Sequence, residues 1–452
     1  MASRNLSLQL TAVSAIVLAA WFATSTRAMA QQEKILHNFG GNGKDGIAPK
    51  AGLISDAAGN LYGTTYYGGS GGCSSELAAG CGTVFELSPK VGGGWTEKLL
   101  HSFSNDGKDG FYPMAGLIFD AAGHLYGTTS YGGTGVCSAT VPTGCGTVFE
   151  LTPKAGGAWG ERVAHSFSGG SDGETPEGGL ILDSAGNLYG TTAGQAGVGG
   201  NCSWAPYVDC GTVFELTPHA GRGWTEKVLH RFSNNGTDGY SPYGNLLRDA
   251  TGNLYGGTYF GGSTGDGTVF QLTPGKGGGW TEQVLYTFFF KGNSGGGPGT
   301  LVFDSAGDLF GTLPSGGASY SGAVFELTPV GGGSWSETIL YNFDVYTTGD
   351  APNTSLVFDA LGNLYGTNVY GGGGTNICLV FGGGTEEASC GTVFKLMSAG
   401  GSWTQTTLHS FGDGTDGQEP YAGLIRNTAG VFYGTTAWGG AHGGGTVFEI
   451  EP

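Results

Sequence analysis

The sequence predicts an all-β fold, a seven-bladed β-propeller with four antiparallel strands per blade, whose last blade is closed by an N-terminal strand. Three observations predict it. The string Leu-Tyr-Gly-Thr-Thr begins at Leu61 and Leu125 and recurs with small changes from Leu188, Leu254, Leu309, Leu364 and Phe432. Gly-Thr-Val-Phe-Glu-Leu or a close variant begins at Gly82, Gly146, Gly211, Gly267, Gly322, Gly391 and Gly445, with spacings of 64, 65, 56, 55, 69 and 54 residues. Such a period holds four short strands, the content of one propeller blade, and is far too long for one coil of a β-helix. The third observation is composition. Gly supplies 94 of 452 residues, while 12% are charged and 12% aromatic, a turn-rich β profile that is neither helical nor disordered.

In the second unit the four strands read as Ala115 to Phe119, Leu125 to Thr129, Thr147 to Leu151 and Trp159 to Phe167. The first two are joined by Asp120-Ala121-Ala122-Gly123-His124, usually Asp-x-x-Gly-Asn in the other units; Asp opens a type I turn and Gly takes the left-handed position of a bulged hairpin. In the third strand Thr147, Phe149 and Leu151 alternate with Val148 and Glu150, the two-residue period of a strand packed between sheets. The fourth strand, of Trp-Thr-Glu-x-x-Leu type, occurs only at Trp95, Trp159, Trp224, Trp280, Trp335 and Trp403, so one copy is missing after Glu449. Its counterpart is at the other end of the chain, where Glu33-Lys34-Ile35-Leu36-His37-Asn38-Phe39 aligns with Glu97-Lys98-Leu99-Leu100-His101-Ser102-Phe103. Pairing the N-terminal strand with the last blade removes two raw sheet edges. Blades are therefore expected at 47–103, 111–167, 175–232, 240–288, 297–343, 351–411 and 420–452, with 31–39 as the closing strand of the seventh.

The first 30 residues read as a signal peptide. Arg4 precedes an apolar run from Leu10 to Ala23, and Ala28-Met29-Ala30 has the small-x-small form of a cleavage site. That run falls short of the ~20 residues of a spanning helix. Cleavage after Ala30 is expected to leave a secreted, periplasmic or cell-surface chain with no visible anchor. The formal charge of -18 becomes -20 when Arg4 and Arg27 are removed with the leader. Nucleic acid and anionic membranes are thus excluded as natural partners, and a monomer is expected.

The units Ala-Gly-Leu-Ile-x-Asp-x-Ala-Gly-Asn-Leu-Tyr-Gly-Thr-Thr and Gly-Thr-Val-Phe-Glu-Leu resemble the GloVer tandem repeat of choice-of-anchor secreted bacterial proteins, over residues 33 to 452. The resemblance implies an exported repeat protein and carries no established activity. Members are often surface-attached by C-terminal devices; this chain ends at Pro452 without a visible one.

Eight cysteines fall in four local pairs, Cys73 with Cys81, Cys137 with Cys145, Cys202 with Cys210, and Cys378 with Cys390, all between second and third strands. Every long connection there carries a pair. The spacing lacks the His partners of a zinc site, and an oxidising compartment favours disulfides, each contributing roughly 2 to 3 kcal/mol.

The same end of the ring is expected to present Tyr67, Tyr131, Phe260, Tyr370 and Trp438, just beyond the second strands, as candidate ligand-binding aromatics for sugars or an extended polymer. Packing over glycine-rich loops is the plainer reading of the same rings. The Asp-Gly segments at Asp45, Asp109, Asp172, Asp238 and Asp416 could offer carboxylates to calcium, although Asp-Gly is equally a turn pair; no other cofactor or metal is expected. His37, His101, His165, His230 and His409 share one repeat position with Tyr286 and Tyr341, and so do the hairpin aspartates Asp56, Asp120, Asp183, Asp249, Asp304 and Asp359 with each other. Residues repeated around a ring read as architecture. Catalysis would need residues that break the repeat: Arg248, Arg426, Glu174, Glu177, Asp209, Glu386, Glu387 and Glu419. The leading expectation is an extracellular binding or scaffold module for a polysaccharide or surface protein, with a glycan-acting hydrolase or lyase using the unrepeated carboxylates as the alternative.

Overall fold

Leu-Tyr-Gly-Thr-Thr becomes the buried second strand of each blade, with only Tyr433 of blade 7 partly exposed, because its central glycine lies under a phenylalanine of the third strand. A Cβ on Gly63 would stand 2.6 Å from Phe85 Cζ, and the same crowding joins Gly127 to Phe149 and Gly434 to Phe448. The computed structural model describes residues 33–40, 44–75, 78–137, 144–194, 203–204, 207–208, 210–221, 223–290, 295–373, 390–412 and 415–452. They form a seven-bladed β-propeller of antiparallel sheets. Blade 1 pairs Ile54–Ser55, Leu61–Thr65, Thr83–Pro89 and Trp95–Ser102 in that order, and each later blade repeats it. The leader and its cleavage site lie outside the described residues. Among the described residues, no helix is long and apolar enough to cross a membrane.

The hairpin aspartate does what its position suggests. Asp120 Oδ1 accepts the N–H groups of Ala122 and His124, and its Oδ2 accepts the Tyr126 hydroxyl. Asp56, Asp183, Asp249 and Asp359 repeat this pattern.

Neighbouring blades meet through phenylalanines. Phe103 at the end of one fourth strand packs edge-on against Phe149 of the next blade at 5.1 Å, followed by Phe167 on Phe214, Phe232 on Phe270, and so on to Phe411 on Phe448. Edge-to-face rings at this distance add to the apolar burial. The series closes because Phe39 packs on Phe85 at 5.1 Å. Phe39 belongs to blade 7: Glu33–Asn38 pairs antiparallel with Thr446–Ile450, bringing Glu33 opposite Ile450 and Asn38 opposite Thr446. The Phe39 N–H donates to the Gly445 carbonyl at 2.9 Å, the bond that Phe103 makes to Gly82 and Phe167 to Gly146.

One expectation changes. The first strand of blade 2 is Ile118–Phe119 and not Ala115 to Phe119. The preceding Ala-Gly segments converge at the axis, where a Cβ on Gly116 would lie 3.1 Å from the Gly52 carbonyl oxygen of blade 1. They pack as close-approaching chain without pairing. The third strand is longer than expected, Thr147–Pro153, since its proline can end a strand.

Candidate functional site at the axis

The loops between second and third strands and the segments between blades emerge at one end of the ring, as the N–H groups of Gly69, Gly133, Gly262 and Gly440 donating to the carbonyls of Asp45, Asp109, Asp238 and Asp416 show. The disulfides lie at this end. Cys73 is bonded to Cys81 and Cys137 to Cys145, with sulfurs 2.04 and 2.02 Å apart. Cys210 and Cys390 are disulfide-bonded too; Cys202 and Cys378 fall outside the described residues, and the described chain has no free cysteine.

From this end each blade enters its first strand through a proline, and the residue before it is left-handed: Ala48, Tyr112, Thr175, Ser241, Gly297, Ala351 and Glu419 have φ between 53° and 69°. Six of these are not glycine, so the framework holds a costly conformation. It is held by a hydrogen bond to the preceding blade. Tyr112, Thr175, Ser241 and Glu419 donate their N–H to the carbonyls of Cys81, Cys145, Cys210 and Cys390, and Ala48 closes the circle by donating to Gly444. Four disulfide cysteines thus anchor the turns that aim the next blade inward.

The position after each proline is where the repeat stops repeating. It holds Lys50, Met114, Glu177, Tyr243, Gly299, Asn353 and Tyr421. Six of these seven, all but Gly299, line a central cavity of about 280 Å³ walled by the first strands of the blades. Of the repeat-breaking residues noted in the sequence, Glu177 faces this cavity and Glu419 flanks it through Lys50 and Tyr421. Sequence reasoning misses Lys50, Tyr243, Asn353 and Tyr421; the signal for them is a single variable position inside a constant frame. Arg248 and Arg426 end their first strands in exposed positions outside the cavity lining. Glu174 pairs through its backbone with Gly194. Asp209, Glu386 and Glu387 lie outside the described residues.

The cavity is electrostatically asymmetric. The Lys50 ammonium lies 4.8 Å from the Tyr66 ring centroid and 5.3 Å from that of Tyr421. Burial lowers its pKa, opposed by the Glu419 and Glu177 carboxylates. Burial pushes the Glu177 carboxyl up to about 7, with Lys50 pulling the other way. Glu419, 5% exposed, is also raised by burial. The Tyr421 hydroxyl is 2.9 Å from that of Tyr370 and is raised well above the usual phenol range, chiefly by burial. Asn353 Oδ1 is buried and accepts no hydrogen bond among the described residues. An acid able to hold its proton near neutrality, a cation, an amide and phenols therefore converge on one small space.

Short two-residue ribbons, which leave no periodicity in the sequence, place the candidate aromatics. Tyr67–Gly68 pairs with Gly46–Ile47, Tyr131–Gly132 with Gly110–Phe111, and Trp438–Gly439 with Gly417–Gln418. Tyr67 is only 7% exposed. Tyr131 stacks on Phe111 at 5.7 Å and Phe260, 37% exposed, on Tyr240 at 5.5 Å, so packing occupies one face of each ring. Tyr370 reaches the cavity wall through Tyr421, and Trp438 is half-buried. The ring nearer to Lys50 is Tyr66, one residue from the expected Tyr67, with Tyr421 also in reach.

The repeated histidines lie at the blade seams. His101, His165 and His409 are hydrogen-bonded to Asp109, Asp172 and Asp416 at 3.1, 3.2 and 2.8 Å. A glutamate of the next blade completes each group; burial, then the neighbouring aspartate, pushes Glu161, Glu226 and Glu33 up to about 7. Where Tyr286 takes the histidine position, its hydroxyl donates to Glu337 at 3.1 Å.

Two copies of the model for the Gloeobacter/Verrucomicrobia repeat match residues 23–205 and 200–382, most of the chain. The chain belongs to this repeat family. No curated protein matches it. Among solved structures, similarity extends to a candidate gluconolactonase at 16% identity, TM-score 0.37, over 75% of this chain and 89% of that one. A candidate glucose dehydrogenase from Thermus thermophilus matches at 15% identity, TM-score 0.40, over 93% of this chain and 100% of its own. The extracellular domain of a candidate one-component system from B. thetaiotaomicron matches at 11% identity, TM-score 0.48, over 92% of this chain and 40% of its own.

Proposed function

We propose that this protein is an extracellular binding propeller that takes a sugar-sized, polyhydroxylated group of a polysaccharide into its axial cavity. One observation carries the reading: the position after the repeated proline varies from blade to blade, and six of its seven occupants line one cavity. Free binding positions diverge while framework positions stay fixed. A volume of about 280 Å³ stands at the small end of the roughly 300–1,000 Å³ of small-molecule sites. The unpaired Asn353 carbonyl oxygen needs a donor, and Lys50 and the Glu177 carboxyl supply donors in return. Tyr370, Trp438 and the open face of Phe260 would extend contact to the rest of a chain. Export by the leader fits disulfides in a chain of this kind.

The test is a glycan array followed by calorimetry with the selected oligosaccharide. Wild-type protein should bind without releasing reducing ends, and Asn353→Ala should weaken binding about tenfold by leaving a ligand hydroxyl unpaired. Failure of every glycan on the array to bind would overturn the proposal.

A second reading has its own support, since a partly buried carboxyl raised to about 7 in the field of a lysine is suited to general acid catalysis. A glycan hydrolase or lyase would release reducing ends and lose that release in Glu177→Gln.

A further inference from the structure

We propose that His230, Asp238 and Glu282 form a zinc-class divalent cation site that staples blade 3 to blade 4. His230 lies on the outer strand Trp224–Arg231 of blade 3, Asp238 in the segment leading to blade 4, and Glu282 on the outer strand Trp280–Thr287 of blade 4. One donor atom from each lies within 4.8 Å of the other two. Among the described residues, His230 Nε2, Asp238 Oδ1 and Glu282 Oε1 are all buried without a hydrogen-bond partner. Asp238 itself is only 7% exposed. Three orphaned ligand-type atoms in one part-buried cluster, with Asp238 at its buried centre, form an expensive arrangement unless a cation fills it.

The glutamate oxygen is orphaned at other seams too, at Glu33, Glu97, Glu161 and Glu226, and His37 Nε2 matches His230 Nε2; what sets this seam apart among the described residues is the bare Asp238 Oδ1. In blade 1, Asp109 is saturated: Oδ2 is shared with His101 at 3.1 Å and accepts the Ser104 N–H, and Oδ1 accepts the Gly110 N–H. In blade 3, His230 Nε2 stands 3.4 Å from Asp238 Oδ2 and makes no hydrogen bond. Asp238 Oδ2 already accepts the Ser233 N–H at 2.9 Å and its hydroxyl at 3.3 Å, so Oδ1 is the atom left for a cation; tetrahedral zinc with bonds of about 2.0–2.1 Å brings its ligand atoms to roughly 3.3 Å of one another, inside the 4.8 Å span of this cluster. An imidazole with two carboxylates favours zinc over calcium, which prefers oxygen alone.

The site is tested by stripping the full-length protein with a chelator, then titrating it with ZnCl2 by calorimetry while following its melting temperature. The expected result is one strongly bound zinc per chain and a rise of several degrees in melting temperature, with no rise on CaCl2. Glu282→Gln should weaken binding by at least about tenfold and abolish the thermal shift, while His101→Gln in the saturated seam leaves both intact. Cobalt in place of zinc should show visible d–d absorption in wild type and not in Glu282→Gln. Asp238→Asn should weaken binding likewise; if it fails to fold, Glu282→Gln and the wild-type stoichiometry still decide. No zinc uptake by the stripped wild type, or uptake unchanged in Glu282→Gln, would overturn the proposal.

Discussion

Two residues show how differently the same chain can be read. Gly127 is legible from sequence, because it recurs at the centre of Leu-Tyr-Gly-Thr-Thr, and the structure supplies its reason in the Phe149 ring above it. Gly127→Ala should destabilise the protein by about 1–3 kcal/mol through overpacking, read by urea denaturation; an unchanged midpoint would mean that the ring can move aside. Glu177 is different. In the sequence it is only a break in the repeat, and nothing in its neighbours along the chain says that it shares a cavity with Lys50, Asn353 and Tyr421. Its carboxyl holds a proton more tightly in the folded protein than in the unfolded chain. It therefore favours folding fully below its ordinary value of 4.5, and that contribution disappears as pH rises through about 7. The shift corresponds to a loss of order 3 kcal/mol across that window. Denaturation of wild type and Glu177→Gln over this pH range should show a slope in wild type that the variant lacks in part; parallel curves would contradict the burial of an ionisable Glu177.

At the scale of elements, strand order and the closing strand are legible in the sequence because each repeats a pattern six or seven times. Trp-Thr-Glu-x-x-Leu occurs six times, and its absence after Glu449 points to Glu33 through Phe39. Deleting residues 31 to 39 removes that strand and Phe39, which is fully buried against Phe85. A sharp drop in melting temperature is expected; Phe39→Ala alone should cost about 3–5 kcal/mol. The inner strands read too long in the sequence, because alternation of apolar residues cannot distinguish paired chain from chain packed against its counterpart, as at Gly116 and Gly52. The ribbons carrying Tyr67, Tyr131 and Trp438 are invisible there, two residues being too few for a period. Disulfides belong to this scale as well. Cys81 and Cys145 bond to their local partners, and their carbonyls hold the turns of the following blades. Alkylation without reductant should modify none of the eight cysteines, and reduction should lower the unfolding free energy by roughly 2–3 kcal/mol for each bond.

For the whole molecule, sevenfold repetition and asymmetric function divide the residues between them. Phenylalanine pairs and the N–H bonds from each pre-proline turn run around the ring without a break, through the junction of Phe39 and Phe85. That constancy makes the fold legible. It also hides the site, since a cavity at the axis gathers residues from distant repeats and has no local signature. Loop aromatics draw attention first because they are large and irregularly placed, yet several are half-engaged in packing, while the polar, variable side chains meet at the centre. The axial site is the central claim, and a crystal structure of the protein soaked with its array-selected oligosaccharide tests it most directly. The expected result is a sugar ring among Lys50, Glu177 and Asn353, with a hydroxyl donating to Asn353 Oδ1; sugar density confined to the disulfide loops, with the cavity unchanged, would contradict it.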